Sequence, residues 1–261
     1  MHLYINLFGL TIPSYGLFIT TGVILANIIA IIVLKKTKQD FDNFIILEAY
    51  CFLGAFIGAK LVYLVVSFNE IDWSSIKDFY SFNHLMQSGF VFYGGLIGGL
   101  LFVFGAGKVH KIQTIEYMRN LTFLIPFAHS IGRIGCYMAG CCYGIPYDGP
   151  GAVIFPQGSF AIPGVKLFPV QLVESALLMI LAALILALQL KLKWHYTIET
   201  YLVAYGVIRF FLEYYRYDEA RGFIAGLSTS QWISILLIAF VIAYNVAKKI
   251  KLKINNTAGK T

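Results

Sequence analysis

Charge is what this sequence has least of. Only 13% of its 261 residues are charged, while 59% are hydrophobic. A water-soluble domain carries about 25% charged residues to cover its surface, so a soluble fold is excluded. Cysteine is scarce, at four residues. No His/Cys pattern has the spacing of a zinc site, so neither a metal nor a cofactor is expected. No internal repeat or low-complexity segment is present. The N-terminus lacks a basic stretch and a small-residue cleavage site around a short apolar run, so no removable signal peptide is expected. A repeating, ring-forming polar stripe is also missing, which argues against a channel.

Long apolar runs are there in quantity. Crossing a hydrocarbon core takes about 20 apolar residues, and seven segments approach that length. They lie at about 17–34, 45–67, 91–107, 121–143, 168–190, 197–212 and 226–247. The expectation is an all-α polytopic membrane protein with seven transmembrane helices. Residues 1–254 would form one integral membrane domain, and 255–261 a disordered tail.

The basic residues give an independent reading, because loops rich in Lys and Arg face the cytoplasm. Lys35, Lys36 and Lys38 follow the first span; Lys108, Lys111 and Arg119 follow the third. Lys191 and Lys193 follow the fifth, and Lys248, Lys249, Lys251, Lys253 and Lys260 follow the seventh. The opposite connections hold only Lys77, Lys166, Arg216 and Arg221. This alternation puts the N-terminus outside and the C-terminus inside. The net charge of +7 is then a topology signal that calls for no nucleic-acid partner, and the basic tail suits anionic lipid. Two exoplasmic stretches are long: the polar and aromatic Asn69 to Gly89, and the Gly- and Pro-rich Cys141 to Lys166. The second is read as an irregular cap, a loop or a pair of short strands.

Three cations, Lys60, Arg133 and Arg209, fall inside spans. A charge at a helix centre costs about 2.5–3.5 kcal/mol on insertion scales, so each needs a partner or a job. Arg209 and Glu213 are four apart on one helix face, and Arg216 continues that face. They form a self-satisfied pair or an anion site. Arg133 has no acid at helical spacing; Glu174 is a candidate partner, and so is a phosphate. A guanidinium holds phosphate through a rigid fork of donors and stays charged. Lys60 either joins the arginines or snorkels to the outer surface. His129, Arg133 and Cys136 share a face, where His129 is a structural hydrogen-bonding group or a general base. Cys136, Cys141 and Cys142 cluster at the predicted outer end of the fourth span, as a disulfide, inert thiols or a covalent nucleophile. The pairs Gly94/Gly98 and Gly95/Gly99 read as close helix packing, or as room for a lipid headgroup.

The string from Gly132 to Gly144, G-R-I-G-C-Y-M-A-G-C-C-Y-G, resembles the signature of bacterial prolipoprotein diacylglyceryl transferases, approximately G-R-[IL]-G-N-F-x-N-G-E-x-x-G. Further pieces follow in register. Tyr93 to Gly99 resembles H-G-G-L-x-G, Tyr15-Gly16-Leu17 resembles Y-G-L, and Gly58 to Tyr63 resembles G-A-R-L-G-Y. Pro169 to Glu174 resembles P-S-Q-L-Y-E and includes Gln171. Tyr205 to Glu213 resembles the arginine-bearing penultimate helix, and Gln231 fits a glutamine of the last span. The resemblance covers nearly the whole chain.

It implies seven spans with the same orientation, in the bacterial plasma (inner) membrane. It also implies an enzyme that moves diacylglyceryl from phosphatidylglycerol to a lipobox cysteine thiol, releasing glycerol phosphate. Arg133, Arg209, Glu213, Tyr93 and His129 are the candidate catalytic residues. Tyr15, Lys60, Gly94, Gly95, Gly98, Gly99, Cys136, Gly140, Cys141, Gln171, Glu174 and Arg216 are the candidates for substrate binding. The departures concern the acceptor half: Tyr93 and Phe168 replace family histidines, Cys136 an asparagine and Cys141 a glutamate. Partners are therefore phosphatidylglycerol with either a prolipoprotein signal peptide or another exoplasmic acceptor. A non-enzymatic phospholipid binder or transporter is the alternative.

Overall fold

A computed structural model describes residues 3–7, 9–75, 78–87, 89–217 and 222–258. A short hairpin, β1 (Tyr4–Leu7) and β2 (Leu10–Pro13), leads into α1 (Ser14–Thr37) and α2 (Phe41–Val66). Then come α3 (Phe79–Gln87), α4 (Phe92–Val109), α5 (Thr114–Leu121) and α6 (Leu124–Ala139). Strands β3 (Val153–Ile154) and β4 (Lys166–Leu167) precede α7 (Val170–Leu192) and α8 (Thr197–Leu212). The chain closes with β5 (Phe223–Ile224), β6 (Leu227–Ser228) and α9 (Thr229–Ala258).

Each of the seven apolar segments is helical over most of its length, with breaks at 122–123 and 140–143 of the fourth and a strand at the start of the seventh. Among the described residues, five helices are long and apolar enough to cross a bilayer: α1, α2, α4, α7 and Thr229–Lys251 of α9. Helices α6 and α8, at 16 residues each, reach only about 24 Å, short of a hydrocarbon core of about 30 Å. Each has an extension. Thr122 and Phe123 join α5 to α6, and a 3₁₀ turn, Glu213–Tyr215, continues α8. Rows of exposed apolar side chains, such as Ile24, Leu25, Ile28 and Ile32 on α1, suit lipid rather than water. The chain is a mostly helical, multi-pass membrane protein. Helix α9 continues to Ala258, past Asn255, where the tail was expected to begin. Residues 259–261 of that tail, with Lys260, lie outside the described residues, as do Lys77 and Arg221.

By packing density the chain divides into two compact units, 34–118 and 1–33 with 119–261. Within the first, α2 and α4 approach backbone to backbone. A Cβ on Gly58 would collide with the Gly94 carbonyl, and one on Gly98 with that of Gly54. Gly95 and Gly99 also face α2, against Ala55 and Cys51. All four glycines of the predicted pairs thus pack against a neighbouring helix, where van der Waals contact supplies the association that water cannot drive. In the loop after α2, hydroxyl and backbone donors of Ser74 and Ser81 hold the Asp72 and Asp78 carboxyls below the usual carboxylate range. Those turns keep their anionic form at neutral pH and weaken only as pH falls through the depressed values.

In the second unit, α6 packs along α7 and α8 along α9. The Ser175 hydroxyl donates to the Ser130 carbonyl at 2.8 Å, and Thr197 to the Arg119 carbonyl at 2.7 Å. Between α6 and α7 the expected cap is a loop carrying the β3–β4 pair. Phe155, Ala161 and Leu167 form its core, with Tyr137 and Tyr143 packed against them. The β5–β6 hairpin turns through Ala225 and Gly226 with φ of 49° and 78°, the positive angles that a type I′ turn requires.

Overpacking the glycine contact is expected to destabilise the unit by at least about 1–3 kcal/mol. Gly98→Leu should therefore lower the melting temperature in detergent. Gly105→Ala, which meets nothing within 4 Å, should leave it unchanged.

Candidate functional site

Spacing alone places His129, Arg133 and Cys136 on one face of α6, and in the structure that face turns toward Glu174 of α7. Glu174 is 2% exposed. One carboxylate oxygen accepts from Arg133 Nη2 and lies 3.8 Å from Arg216 Nη1; the other is 3.9 Å from His129 Nε2. Arg209 Nη2 pairs with Glu213 at 2.7 Å, and Arg216 Nε lies 4.0 Å from the same carboxylate. Arg216 therefore bridges two ion pairs that the sequence presented as separate. Three guanidinium groups share two carboxylates, leaving one positive charge over with His129 neutral.

That surplus has unsatisfied donors to go with it. Among the described residues, Arg133 Nε and Arg209 Nη1 are buried with no hydrogen-bond partner. Leaving such donors unmet is costly, so the cluster suits an anionic ligand rich in acceptors. Gln171 adds the opposite polarity. Its Nε2 donates to the Cys141 carbonyl at 2.9 Å, while Oε1 is buried without a partner among the described residues. That oxygen is an acceptor for a hydroxyl.

Helix ends and packing set the positions. Helix α6 stops at Gly140, whose φ of 73° lets its N–H return to the Cys136 and Tyr137 carbonyls, a left-handed cap that favours glycine. Gly135 admits α1: a Cβ there would press on Phe18 and the backbone of Tyr15. Tyr15 is itself an electrostatic neighbour of Arg133 and of the three thiols. Gln231 braces α9 against α8, accepting from the Ser228 N–H at 2.9 Å and donating to the Phe210 carbonyl.

Three other residues belong to the cluster. Arg209 Nη2 donates to the Ser230 hydroxyl at 3.1 Å, and nothing in the sequence around Ser230 marks it. The Tyr205 ring stands edge-on to His129 at 5.6 Å and stacks on Tyr201; its place four before Arg209 was a usable signal. Cys142 joins Cys136 and Cys141, the three Sγ atoms lying within 4.8 Å of one another. All four cysteines are free thiols, so the disulfide alternative is not realised here. Lys60, Tyr93, Gly94, Gly95, Gly98 and Gly99 lie in the other unit. There Lys60 is buried, donating to the Leu85 carbonyl beneath the rings of Tyr63 and Phe90. Tyr93 is exposed on α4, edge-on to Phe92.

With this geometry in hand, the comparisons with known proteins are consistent with one another. The family model described as prolipoprotein diacylglyceryl transferase matches residues 2–247. The phosphatidylglycerol–prolipoprotein diacylglyceryl transferase 2 of Clostridium perfringens is 32% identical over 254 residues, covering 93% of this chain and 94% of its own. The phosphatidylglycerol–prolipoprotein diacylglyceryl transferase of Clostridium tetani is 34% identical, covering 92% and 95%. That of Finegoldia magna is 28% identical, covering 89% and 90%.

Removing the carboxylate that Arg133 and Arg216 share leaves buried charge uncompensated. Glu174→Gln should cost about 3–5 kcal/mol, measured as a fall in melting temperature that inorganic phosphate partly reverses. Lys166→Ala, whose partner Asp148 is highly exposed, should change it little.

Proposed function

The chain belongs to the prolipoprotein diacylglyceryl transferase family, and we propose that it transfers diacylglyceryl from phosphatidylglycerol to the lipobox cysteine of a prolipoprotein, releasing glycerol phosphate. The observation that carries this reading is the cluster of Arg133, Arg209 and Arg216 around Glu174 and Glu213, with two buried guanidinium donors unmet. A phospholipid phosphodiester has the charge and the acceptor oxygens that such a cluster takes.

The chemistry is displacement at a glycerol carbon. The acceptor sulfur forms a bond to that carbon as the carbon–oxygen bond to phosphate breaks, and the electron pair leaves with the phosphate. Stabilising the departing charge is the largest catalytic contribution expected. Arg133 and Arg209 supply it, oriented by Glu174 and Glu213, with Arg216 linking the two pairs. Tyr15 and Gln171 are placed in this scheme at the glycerol headgroup. His129 takes the proton of the acceptor thiol. The reading includes seven spans in the bacterial plasma membrane, with α6 and α8 completing the five longer helices. The N-terminus is then outside and the C-terminus inside, as the charge asymmetry of the loops supports.

A second reading keeps the donor and changes the acceptor. Cys136, Cys141, Tyr93 and Phe168 stand where the resembled motifs have asparagine, glutamate and two histidines, so a paralogue with a different exoplasmic acceptor remains its rival. Purified protein in phosphatidylglycerol liposomes with a lipobox peptide tests both. Glycerol phosphate release accompanied by a diacylglyceryl mass shift of the peptide is expected. Arg133→Ala should lower both about 100-fold or more. An unmodified peptide, under conditions where a motif-complete relative modifies it, overturns the lipoprotein assignment. Unchanged turnover in His129→Ala removes His129 as the base.

A further inference from the structure

Deprotonating the acceptor is the step for which this chain has the least conventional equipment, and three thiols stand beside the arginines. Cys136 is in the last turn of α6; Cys141 and Cys142 follow the Gly140 cap. Two left-handed residues, Gly140 at φ 73° and Cys142 at φ 56°, fold the chain back on itself. The three Sγ atoms come within 4.8 Å of one another, and none is in a disulfide. Cys136 is buried, whereas Cys141 and Cys142 are half-buried, so one side of the cluster is open to a further ligand.

We propose that Cys136, Cys141 and Cys142 bind a zinc ion whose fourth position takes the acceptor thiol as thiolate. This rests on the transferase reading above. Tetrahedral zinc with Zn–S bonds of about 2.3 Å sets sulfurs about 3.8 Å apart, so the thiols need close by only about 1 Å. Three protein ligands and one open position is the pattern of a catalytic rather than a structural zinc. Three thiolates around a dication leave one negative charge. Arg133 Nη1, 3.7 Å from Cys136 Sγ, offsets it. The site escapes sequence inspection because its Cys-x4-Cys-Cys spacing matches no common zinc pattern; the backbone reversal makes it.

The chemistry balances. On binding zinc the acceptor thiol gives its proton to His129, the base of the reading above, since a coordinated thiol is deprotonated outright. Its sulfur pair then forms the bond to the glycerol carbon, while the carbon–oxygen pair departs with glycerol phosphate. The product thioether is a weak zinc ligand and leaves. Nothing is oxidised or reduced.

The test uses reduced, full-length protein in detergent, loaded with Co²⁺ as a spectroscopic stand-in for zinc. A thiolate-to-cobalt charge-transfer band and intense tetrahedral visible bands are expected. Cys141→Ser and Cys142→Ser should each lose the charge-transfer intensity, and Cys51→Ser, on α2, should keep it. Gel filtration and thermal melting report whether each variant is folded, and Cys142→Ala serves if the serine variant is not. A lipobox peptide should shift the visible bands, and its Cys→Ser version should not. Absence of the band in protein whose thiols titrate as reduced overturns the site. A band that ignores the peptide overturns the acceptor role. Glycerol phosphate release on the same samples separates the two readings. If only the zinc proposal is wrong, metal-stripped protein turns over undiminished; if the transferase reading is wrong, no sample releases glycerol phosphate.

Discussion

The buried carboxylate of Glu174 is the contact on which the rest of the cluster depends. Guanidinium groups inside a membrane protein are tolerated only when their charge is met, and Glu174 meets two of them while standing 3.9 Å from His129. Glu213 repeats the arrangement with Arg209 and Arg216. Because Arg216 touches both acids, the two ion pairs form one network, and a shift of either helix is felt by the other. Buried networks of this kind are rigid when complete and costly when incomplete. Here the incompleteness lies in the donors Arg133 Nε and Arg209 Nη1, which is where a phosphate adds most.

A second constraint is the absence of any hydrophobic drive between helices surrounded by lipid. Small residues replace it. Gly54 and Gly58 of α2 meet Gly94 and Gly98 of α4 so closely that no side chain fits, and Gly135 gives α6 a tight, less extreme contact with Phe18 and Tyr15 of α1. The motif glycines are therefore architectural first. They fix backbone positions to within a methyl group's width, and the polar side chains between them inherit that precision. Serine and threonine hydroxyls tie other elements by hydrogen bonds: Ser175 of α7 to Ser130 of α6, and Thr197 of α8 to Thr122 and Arg119 at the α5–α6 connection.

The donor and acceptor halves of the chemistry diverge in how conventional they look. Arg133, Arg209 and Glu174 stand as in the resembled motifs and Lys60 takes the place of an arginine, whereas Tyr93, Cys136 and Cys141 depart in kind. The structure draws Cys136 and Cys141 together with a third thiol, Cys142, so the departures on that side form a single group.

By itself the sequence determined that this is a polytopic helical membrane protein, because apolar run length is set residue by residue along the chain. It also marked Lys60, Arg133 and Arg209 as charges inside those runs, though not the burial of Arg216, which it placed in a connection, and it showed that His129, Arg133 and Cys136 share a face, because helical periodicity is local. The resemblance extended over nearly the whole chain for the same reason: its motifs are short and contiguous. Tertiary structure alone decided the partners. Glu174 was one of two options for Arg133 and lies 41 residues away; Arg216's link between both acids and Ser230 on Arg209 could not be ranked from spacing. Helix α6 also proved shorter than its apolar run, because the chain turns at Gly140, whereas α8 matches its run and passes into the 3₁₀ turn at Glu213–Tyr215. Local pattern fixes what a segment is, and long-range packing chooses which of its possible neighbours it meets.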